Sequence, residues 1–386
     1  MLRITNILLL FCLLASLFSA CQSAAPPPAP TAEPATATPL PPTATPPPPT
    51  ATAEPTPVAA APAADPQMTV LADQITSAAL AGNLFGDPTT RPFYVLLPPG
   101  YASSDQRYPV VYVLHGWFDS EASMVGKFKT VAEQLLREGA IQEMIFVFPN
   151  ADNLLHGSMY QSSPTIGDYE TYLTQELVGL VDSKYRTLAQ RESRGVTGCS
   201  MGGDGAIHLA LKYPQVYSVA APVSATYDET QDPVFAQAAE YFRREPANLD
   251  DLGQMNLVVQ VSAAMAAAAA ASPDQPPFYF DMPLTLVDGK GQVVPAVLDK
   301  IADADPTRDL AHYVAQPERL RAILIYHGAW DPVVPVELAQ AFSARLTEQG
   351  IEHEYGEARA LHCDEAPAGL YTPVIQFMAD NLGFAE

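Results

Sequence analysis

A serine between two glycines carries the strongest chemical signal in the chain. Residues 196–203 read Val-Thr-Gly-Cys-Ser-Met-Gly-Gly, so Gly198 and Gly202 flank Ser200. A strand-like apolar run precedes this motif, and a helix-forming run follows it. The pattern is typical of a nucleophile elbow, a sharp strand-to-helix turn that exposes a serine hydroxyl and needs small neighbours. At the start of that helix, the Met201 amide is the first predicted donor to an oxyanion.

Two downstream loops carry suitable partners for the serine. A serine hydroxyl is a weak nucleophile at neutral pH, so it needs a general base and a carboxylate that orients the base. The apolar run 322–326 leads into a loop that holds Asp331. Because catalytic groups of open parallel sheets gather at the carboxyl ends of strands, Asp331 is the predicted acid, with Asp309 and Asp364 as alternatives. His362 lies in a loop after the last predicted strand and is the predicted base.

Two cysteines adjoin these positions. Cys199 directly precedes Ser200, and Cys363 directly follows His362. If the hydroxyl and the imidazole lie within hydrogen-bonding reach, their neighbours lie within bridging distance, and we hypothesise a disulfide between them. The alternative is two separate buried thiols. The sequence has no Cys-x-x-Cys pair or His/Cys cluster, so neither a metal nor a cofactor is predicted.

The loop after an early strand is expected to complete the site. The strand-like run 111–114 leads into His115, Gly116 and Trp117. Gly116 permits a close approach, and the Trp117 amide is the second predicted oxyanion donor. His115 is expected to support this loop rather than take part in the chemistry. Tyr160 lies in a polar, aromatic loop and is the candidate for lining the acyl or alcohol pocket.

Alternating elements must position these residues. Strand-like runs cover 93–97, 108–114, 144–148, 216–223, 322–326 and 352–355, and helical runs cover 123–138, 169–185, 336–348 and 371–381. Such alternation predicts an α/β fold with a mostly parallel central sheet and helices on both faces.

The segment 225–320 breaks this alternation. It contains an alanine-rich run at 263–271 and two short extended pieces at 278–287 and 293–298. We interpret it as an insertion above the sheet that selects substrate. A purely structural excursion is the alternative.

The first 67 residues differ in composition from the rest. Residues 1–20 hold one charge and an apolar run too short to span a bilayer comfortably, which predicts an export signal. Small residues before Cys21 resemble the lipobox of bacterial lipoproteins, which implies a lipid on Cys21; a simple secretory signal cut nearby is the alternative. Residues 21–67 are rich in Pro, Ala and Thr and predict a disordered stalk. Residues 68–386 are predicted to form one catalytic domain, held on the outer face of the cytoplasmic membrane or at the cell surface.

The charge balance restricts the partners. The chain has 43 acidic and 20 basic residues, a formal net charge of -23. Such a surface repels phosphate backbones and anionic lipid heads. Nucleic acid is therefore not a predicted partner, and the membrane is predicted as one only through the lipid on Cys21.

Together these motifs resemble the esterase family that includes feruloyl esterases, acetyl-xylan esterases and mycolyltransferases, all of which are α/β-hydrolases. Residues 108–116, 160–170 and 198–203 carry the resemblance, which is absent from the insertion and resumes at residue 322. The order Cys-Ser, Asp, His-Cys is also similar to the disulfide-supported triad of tannases.

The resemblance assigns expected roles to the residues above. It implies Ser200 as nucleophile, Asp331 as acid and His362 as base, with the amides of Trp117 and Met201 as the oxyanion hole. It implies a serine esterase acting on carboxylic esters, such as hydroxycinnamoyl or acetyl esters of polysaccharide. Acyl transfer by the same site is one alternative, and a non-catalytic surface binding protein on a hydrolase scaffold is another.

Overall fold

The computed structural model describes residues 67–308, 310–364 and 369–385. The predicted export signal, Cys21 and all of the predicted stalk except residue 67 lie outside these ranges. The strands are β1 (Thr69–Thr76), β2 (Thr90–Leu97), β3 (Val110–Leu114), β4 (Ile145–Pro149), β5 (Ser162–Ser163), β6 (Gly167–Asp168), β7 (Arg194–Cys199), β8 (Val219–Val223), β9 (Leu284–Val287), β10 (Lys290–Val293), β11 (Ala322–Gly328) and β12 (Glu354–Ala358).

Eight of these strands form one sheet in the order β1-β2-β4-β3-β7-β8-β11-β12. The pairs from β4 to β12 in that order are parallel, whereas β2 pairs antiparallel with both β1 and β4. The predicted α/β fold with a mostly parallel sheet is confirmed. Because β3, β7, β11 and β12 are parallel, the loops after them meet at one edge, where the predicted site residues lie.

The helices connect these strands. They are α1 (Glu121–Arg137), α2 (Tyr169–Thr171, the π-helical Tyr172–Leu177 and Val178–Lys184 in succession), α3 (Met201–Lys212), α4 (Val234–Tyr241), α5 (Leu249–Leu252), α6 (Leu257–Ala269), α7 (Pro295–Ala304), α8 (Leu310–Ala315), α9 (Val336–Glu348) and α10 (Thr372–Asn381). Within the described ranges, no helix combines the length and apolar character needed to cross a bilayer.

Strand β3 shows how the sheet is buried on both faces. All five of its residues are buried, and successive side chains point to opposite sides. Tyr112 and Leu114 pack into one core with residues of α2 and α3. Val111 and Val113 pack into a second core with residues of α1 and α10. The helices therefore cover both faces of the sheet, as predicted.

The segment 225–320 contains helices α4 to α8 and the hairpin β9–β10. The alanine-rich run lies mostly in α6, where nine residues are buried and the Asn256 side chain caps the helix start. Of the two predicted extended pieces, the first ends in β9. The second predicted extended piece is wrong for residues 295–298, which form the start of helix α7. Proline is favoured at the first position of a helix, because the N–H that it lacks has no partner within the helix there.

Candidate active site

Ser200 sits at the turn between β7 and α3 in a strained conformation. Its φ is 58° and its ψ is -127°, a region that residues with a side chain seldom adopt. A Cβ atom at Gly202 would lie 2.1 Å from the Leu114 carbonyl oxygen, and one at Gly198 would lie 2.4 Å from the Gly202 carbonyl oxygen. Only glycine fits at either position. The turn is therefore a nucleophile elbow in its geometry as well as its sequence.

The His362 imidazole is paired with the Asp331 carboxylate. His362 Nδ1 lies 2.7 Å from Asp331 Oδ2. The amides of Val333 and Val334 donate to Asp331 Oδ1 at 2.8 and 2.9 Å, and the carboxylate is fully buried. Burial alone raises the pKa of Asp331, but the hydrogen bonds from His362 and the two amides outweigh it, so that pKa lies below its usual value. Asp331 is therefore held as a carboxylate that orients the imidazole.

The loops that carry Asp331 and His362 are locked together. The amides of Ala329 and Trp330 donate to the carbonyl oxygens of Ala358 and Ala360 at 2.7 and 3.1 Å. A Cβ atom at Gly328 would lie 2.7 Å from the Ala360 oxygen, so glycine permits this approach. Asp309, one of the two alternative acids, lies outside the described residues.

A disulfide ties the base loop to the elbow. Cys199 and Cys363 are joined at an S–S distance of 2.09 Å, with their Cα atoms 5.9 Å apart. The hypothesised pairing is confirmed. Because Cys199 adjoins Ser200 and Cys363 adjoins His362, the bond holds the imidazole-bearing loop against the serine.

Both predicted oxyanion donors lie at the elbow. Gly116 lies close to the serine, because a Cβ atom built on it would be 3.6 Å from the Ser200 Cβ atom. The Gly116–Trp117 peptide is therefore beside Ser200. The side chains of Trp117 and Met201 meet over Gly157, where an added Cβ atom would lie 2.4 and 2.5 Å from them. The structure thus brings both residues to the serine.

His115 supports the oxyanion loop, as expected. It is fully buried, and its Nε2 accepts from the Ala151 amide at 2.9 Å. Its Nδ1 therefore carries the proton and donates to the Gly116 carbonyl oxygen at 2.9 Å. Burial lowers the pKa of His115, so the ring stays neutral at physiological pH.

The prediction that Tyr160 lines the substrate pocket is wrong. Tyr160 is fully buried, and its hydroxyl donates to the His115 carbonyl oxygen at 2.8 Å. Its ring packs on Gly205 of α3, where a Cβ atom would lie 2.3 Å from it. A tyrosine with a satisfied hydroxyl can be buried entirely, and here it braces the oxyanion loop instead of facing substrate.

Exposed apolar residues lie next to or near the site residues in sequence, and they were not among the predicted site residues. Phe118 is 45% exposed, Trp330 61%, Val333 47% and Leu361 45%. Phe118 follows Trp117, Trp330 precedes Asp331, and Leu361 precedes His362. We call these four residues the apolar rim. The available signal was a large apolar residue in a loop directly beside a site residue.

Two buried carboxyl groups, Asp204 and Asp232, have raised pKa values. Asp204, in the first turn of α3, accepts from the Thr226 and Tyr227 amides at 2.9 and 3.0 Å. Burial raises the pKa of Asp204 to about 7 despite these hydrogen bonds. Burial also raises the pKa of Asp232 to about 6, opposed by the Val234 amide and by His362. Among the described residues, no group of three or more His, Cys, Asp or Glu side chains is placed to hold a metal ion.

Comparison with known proteins points to an esterase family. Residues 88–279 match the family described as putative esterase. This part of the chain is therefore similar to the esterase family. The matched esterase segment includes Ser200 and the oxyanion loop, and it ends inside the insertion.

Curated relatives match part of the chain. An endo-1,4-beta-xylanase/feruloyl esterase of Xylanibacter ruminicola is 31% identical over 150 residues, which cover 36% of this chain and 20% of that protein. An esterase of Mycobacterium tuberculosis is 32% identical over 123 residues, which cover 31% of this chain and 25% of that protein. The chain thus spans about a fifth to a quarter of the length of these relatives.

Two solved structures share the fold. A ferulic acid esterase has a TM-score of 0.55 at 18% identity, covering 82% of this chain and 99% of that one. An S-formylglutathione hydrolase from Staphylococcus aureus has a TM-score of 0.51 at 16% identity, covering 80% of this chain and 96% of that one. At these identities the likeness concerns the fold alone.

Proposed function

We propose that this chain is a serine esterase that hydrolyses carboxylic esters through an acyl-enzyme. The observation that carries the proposal is the His362–Asp331 pair, at 2.7 Å, tied by a disulfide to the residue before Ser200. A buried carboxylate, an imidazole and a serine on a strained turn are the three parts that activate a hydroxyl. The match of residues 88–279 to the esterase family supports the same reaction.

In the proposed reaction, His362 accepts the Ser200 proton at Nε2 while the serine oxygen attacks the ester carbonyl carbon. Asp331 stabilises the resulting imidazolium through Nδ1. The carbonyl electron pair moves to oxygen, where the amides of Trp117 and Met201 donate to it. When the tetrahedral intermediate collapses, His362 gives its proton to the leaving alcohol. Water, deprotonated by the same imidazole, then releases the acid and restores Ser200.

The apolar rim favours a substrate whose acyl group is aromatic or otherwise apolar. Phe118, Trp330 and Leu361 are large exposed apolar residues, each next in sequence to a proposed oxyanion, acid or base residue. A flat acyl group of the hydroxycinnamoyl type would bury such surfaces and gain the associated hydrophobic free energy. We therefore propose feruloyl-type esters of polysaccharide as the first substrates to test, with acetyl esters as the second.

A panel of esters tests the reaction and its acyl group. The full chain is incubated with methyl ferulate and 4-nitrophenyl acetate, with and without a second alcohol, and products are identified by mass spectrometry. We expect free acid from the active protein and none from Ser200→Ala. Transfer of the acyl group to the added alcohol in preference to water would favour an acyltransferase. Absence of turnover by folded protein on every ester would contradict the proposal.

We also propose that the enzyme is exported and anchored by a lipid on Cys21, with residues 21–67 as a stalk and residues 68–386 as the catalytic domain. The support is the apolar run followed by small residues and a cysteine, and then the Pro/Ala/Thr composition. In a bacterial host, we expect the wild type in the membrane fraction and Cys21→Ser outside it. Equal membrane content of the two would contradict the anchor.

A further inference from the structure

A second histidine, His327, faces the carboxylate of the proposed acid. It lies near the end of β11, and its side chain and that of Asp331 are both fully buried. His327 Nε2 is 3.6 Å from Asp331 Oδ2, the same oxygen that lies 2.7 Å from His362 Nδ1. The proposed reaction gives His327 no role, although two imidazoles meet at one carboxylate oxygen.

The surroundings of His327 determine which ring nitrogen carries its proton. Nε2 lies 3.0 Å from the Val334 carbonyl oxygen, which can only accept, so Nε2 carries the proton and donates it. Burial lowers the pKa of His327, although the Val334 carbonyl and Asp331 oppose the shift, so the ring is neutral at physiological pH. His327 therefore acts as a hydrogen-bond donor and not as a charge, which leaves Asp331 Oδ2 to His362.

The backbone of Val334 connects His327 to the acid. The Val334 amide donates to Asp331 Oδ1 at 2.9 Å, and the Val334 carbonyl oxygen accepts from His327. The turn that orients the carboxylate is thus bound to strand β11 through the imidazole. Loss of this bond would loosen the Val334 backbone and, with it, an amide that fixes Asp331.

Packing alone does not explain a histidine at this position. His327 Nδ1 is buried and has no hydrogen-bond partner among the described residues. A buried acceptor without a partner destabilises the fold, and a phenylalanine would fill a similar space without that loss. The donor at Nε2 is therefore the feature that distinguishes histidine from an apolar ring here.

We propose that His327 is a positioning residue for the acid: by donating to the Val334 carbonyl oxygen, it holds the Asp331 carboxylate in the orientation that pairs with His362. The effect on turnover rests on the proposed esterase reaction, whereas the effect on the Asp331–His362 pair does not. His327 acts through Asp331 rather than on the substrate.

The variants His327→Phe and His327→Gln test the donor. Phenylalanine keeps a flat ring without a donor, whereas glutamine offers an amide N–H in place of Nε2–H. We expect kcat on an ester that the wild type hydrolyses to fall about tenfold to a hundredfold in His327→Phe with little change in KM, because misplacing a catalytic group slows the chemical step. His327→Gln should recover most of this loss.

His353→Gln is the matched control for the same chemical change. His353 Nδ1 also donates to a main-chain carbonyl oxygen, that of Ile351 at 2.9 Å, so the variant should leave kcat unchanged. Circular dichroism checks each variant for folding. If His327→Phe does not fold, His327→Asn replaces it, because the shorter amide side chain does not extend as far as Nε2.

A double variant separates positioning from a general structural role. Because His327 is proposed to act through Asp331, adding His327→Phe to Asp331→Asn should lower kcat no further. The proposal is overturned by an equal loss in both backgrounds, by an unchanged kcat in folded His327→Phe, or by a His327→Gln variant no more active than His327→Phe.

Proton NMR on the full chain gives a readout that does not need turnover. The His362 Nδ1 proton, in its hydrogen bond to Asp331, should give a downfield resonance that is absent from His362→Gln. We expect His327→Phe to shift or abolish this resonance and His327→Gln to restore it, and an unaltered resonance in His327→Phe would contradict the inference. If the resonance responds as expected but the wild type hydrolyses no ester, the proposed function fails and the role of His327 stands.

Discussion

Cys199 and Cys363 form a disulfide that joins the residue before Ser200 to the residue after His362, with Cα atoms 5.9 Å apart. The bond joins residues 164 positions apart in sequence, and both lie next to proposed catalytic residues. It therefore stabilises the fold and, at the same time, fixes the loop of the proposed base against the proposed nucleophile.

The first prediction concerns this disulfide. In the Cys199→Ala/Cys363→Ala double variant, we expect stability to fall by about 2–5 kcal/mol, since closing so long a loop restricts the unfolded chain. We also expect kcat to fall, because the His362 loop loses its tie to the elbow. Urea unfolding and ester kinetics measure the two effects. Reductant serves as the control: it should reproduce both losses in the wild type and change nothing in the double variant, and an unaffected wild type would contradict the prediction.

The second prediction concerns the acid. Asp331→Asn keeps the size of the side chain but removes the charge that stabilises the imidazolium, so we expect kcat to fall by about 10³–10⁴ with little change in KM. Asp364→Asn is the matched control, because it removes a carboxylate two residues after His362. Steady-state kinetics on both variants decide the assignment. A larger loss in Asp364→Asn than in Asp331→Asn would move the role of the acid to Asp364.

The third prediction concerns pH. The pKa of Asp204 is raised to about 7 and that of Asp232 to about 6, both from an unfolded value of 3.8. Between about pH 4 and pH 7, the folded state therefore holds protons that the unfolded state has released, so stability falls as pH rises. We expect a loss of about 3–4 kcal/mol from pH 5 to pH 8.

Urea unfolding at pH 5, 6.5 and 8 measures this dependence. Asp204→Asn should flatten the slope, because one of the two titrating groups is gone, whereas the exposed Asp299→Asn should leave it unchanged. A wild type that gains stability from pH 5 to pH 8 would contradict the expected sign.

The fourth prediction concerns Tyr160. Tyr160→Phe removes the hydrogen bond to the His115 carbonyl oxygen and should cost about 1 kcal/mol of stability. Because the side chain is buried, KM should not change for any ester. Tyr241→Phe, at a side chain that is 53% exposed, is the control for the same chemical change. A shift in KM confined to Tyr160→Phe, at unchanged stability, would restore the role in the substrate pocket.

The sheet and the elbow were predictable because local sequence determines them. Strand β3 is a short run of large apolar residues, all of them buried. Such a run is typical of a central parallel strand, which is covered on both faces. Strand β1 was missed for the opposite reason. Its burial pattern is mostly exposed, and it pairs only with β2 at the sheet edge, so it lacks the apolar signature of the other strands.

The parts of the site that depend on tertiary packing were harder to predict. Asp331 and His362 were found because each follows a strand, and the sheet brings strand ends together. The loops around Tyr160 and Trp330 decide that the first is buried and the second 61% exposed. A position in a loop near a site residue marks each as a candidate, but it does not determine the exposure of the side chain.

Active-site labelling tests directly whether Ser200 is an activated nucleophile. A fluorophosphonate probe is added to the folded full chain, and the modified peptide is sequenced by mass spectrometry. We expect one phosphonylated residue, Ser200, with labelling lost in Ser200→Ala and greatly slowed in His362→Ala. Labelling at another residue, or no labelling of folded wild-type protein, would contradict it.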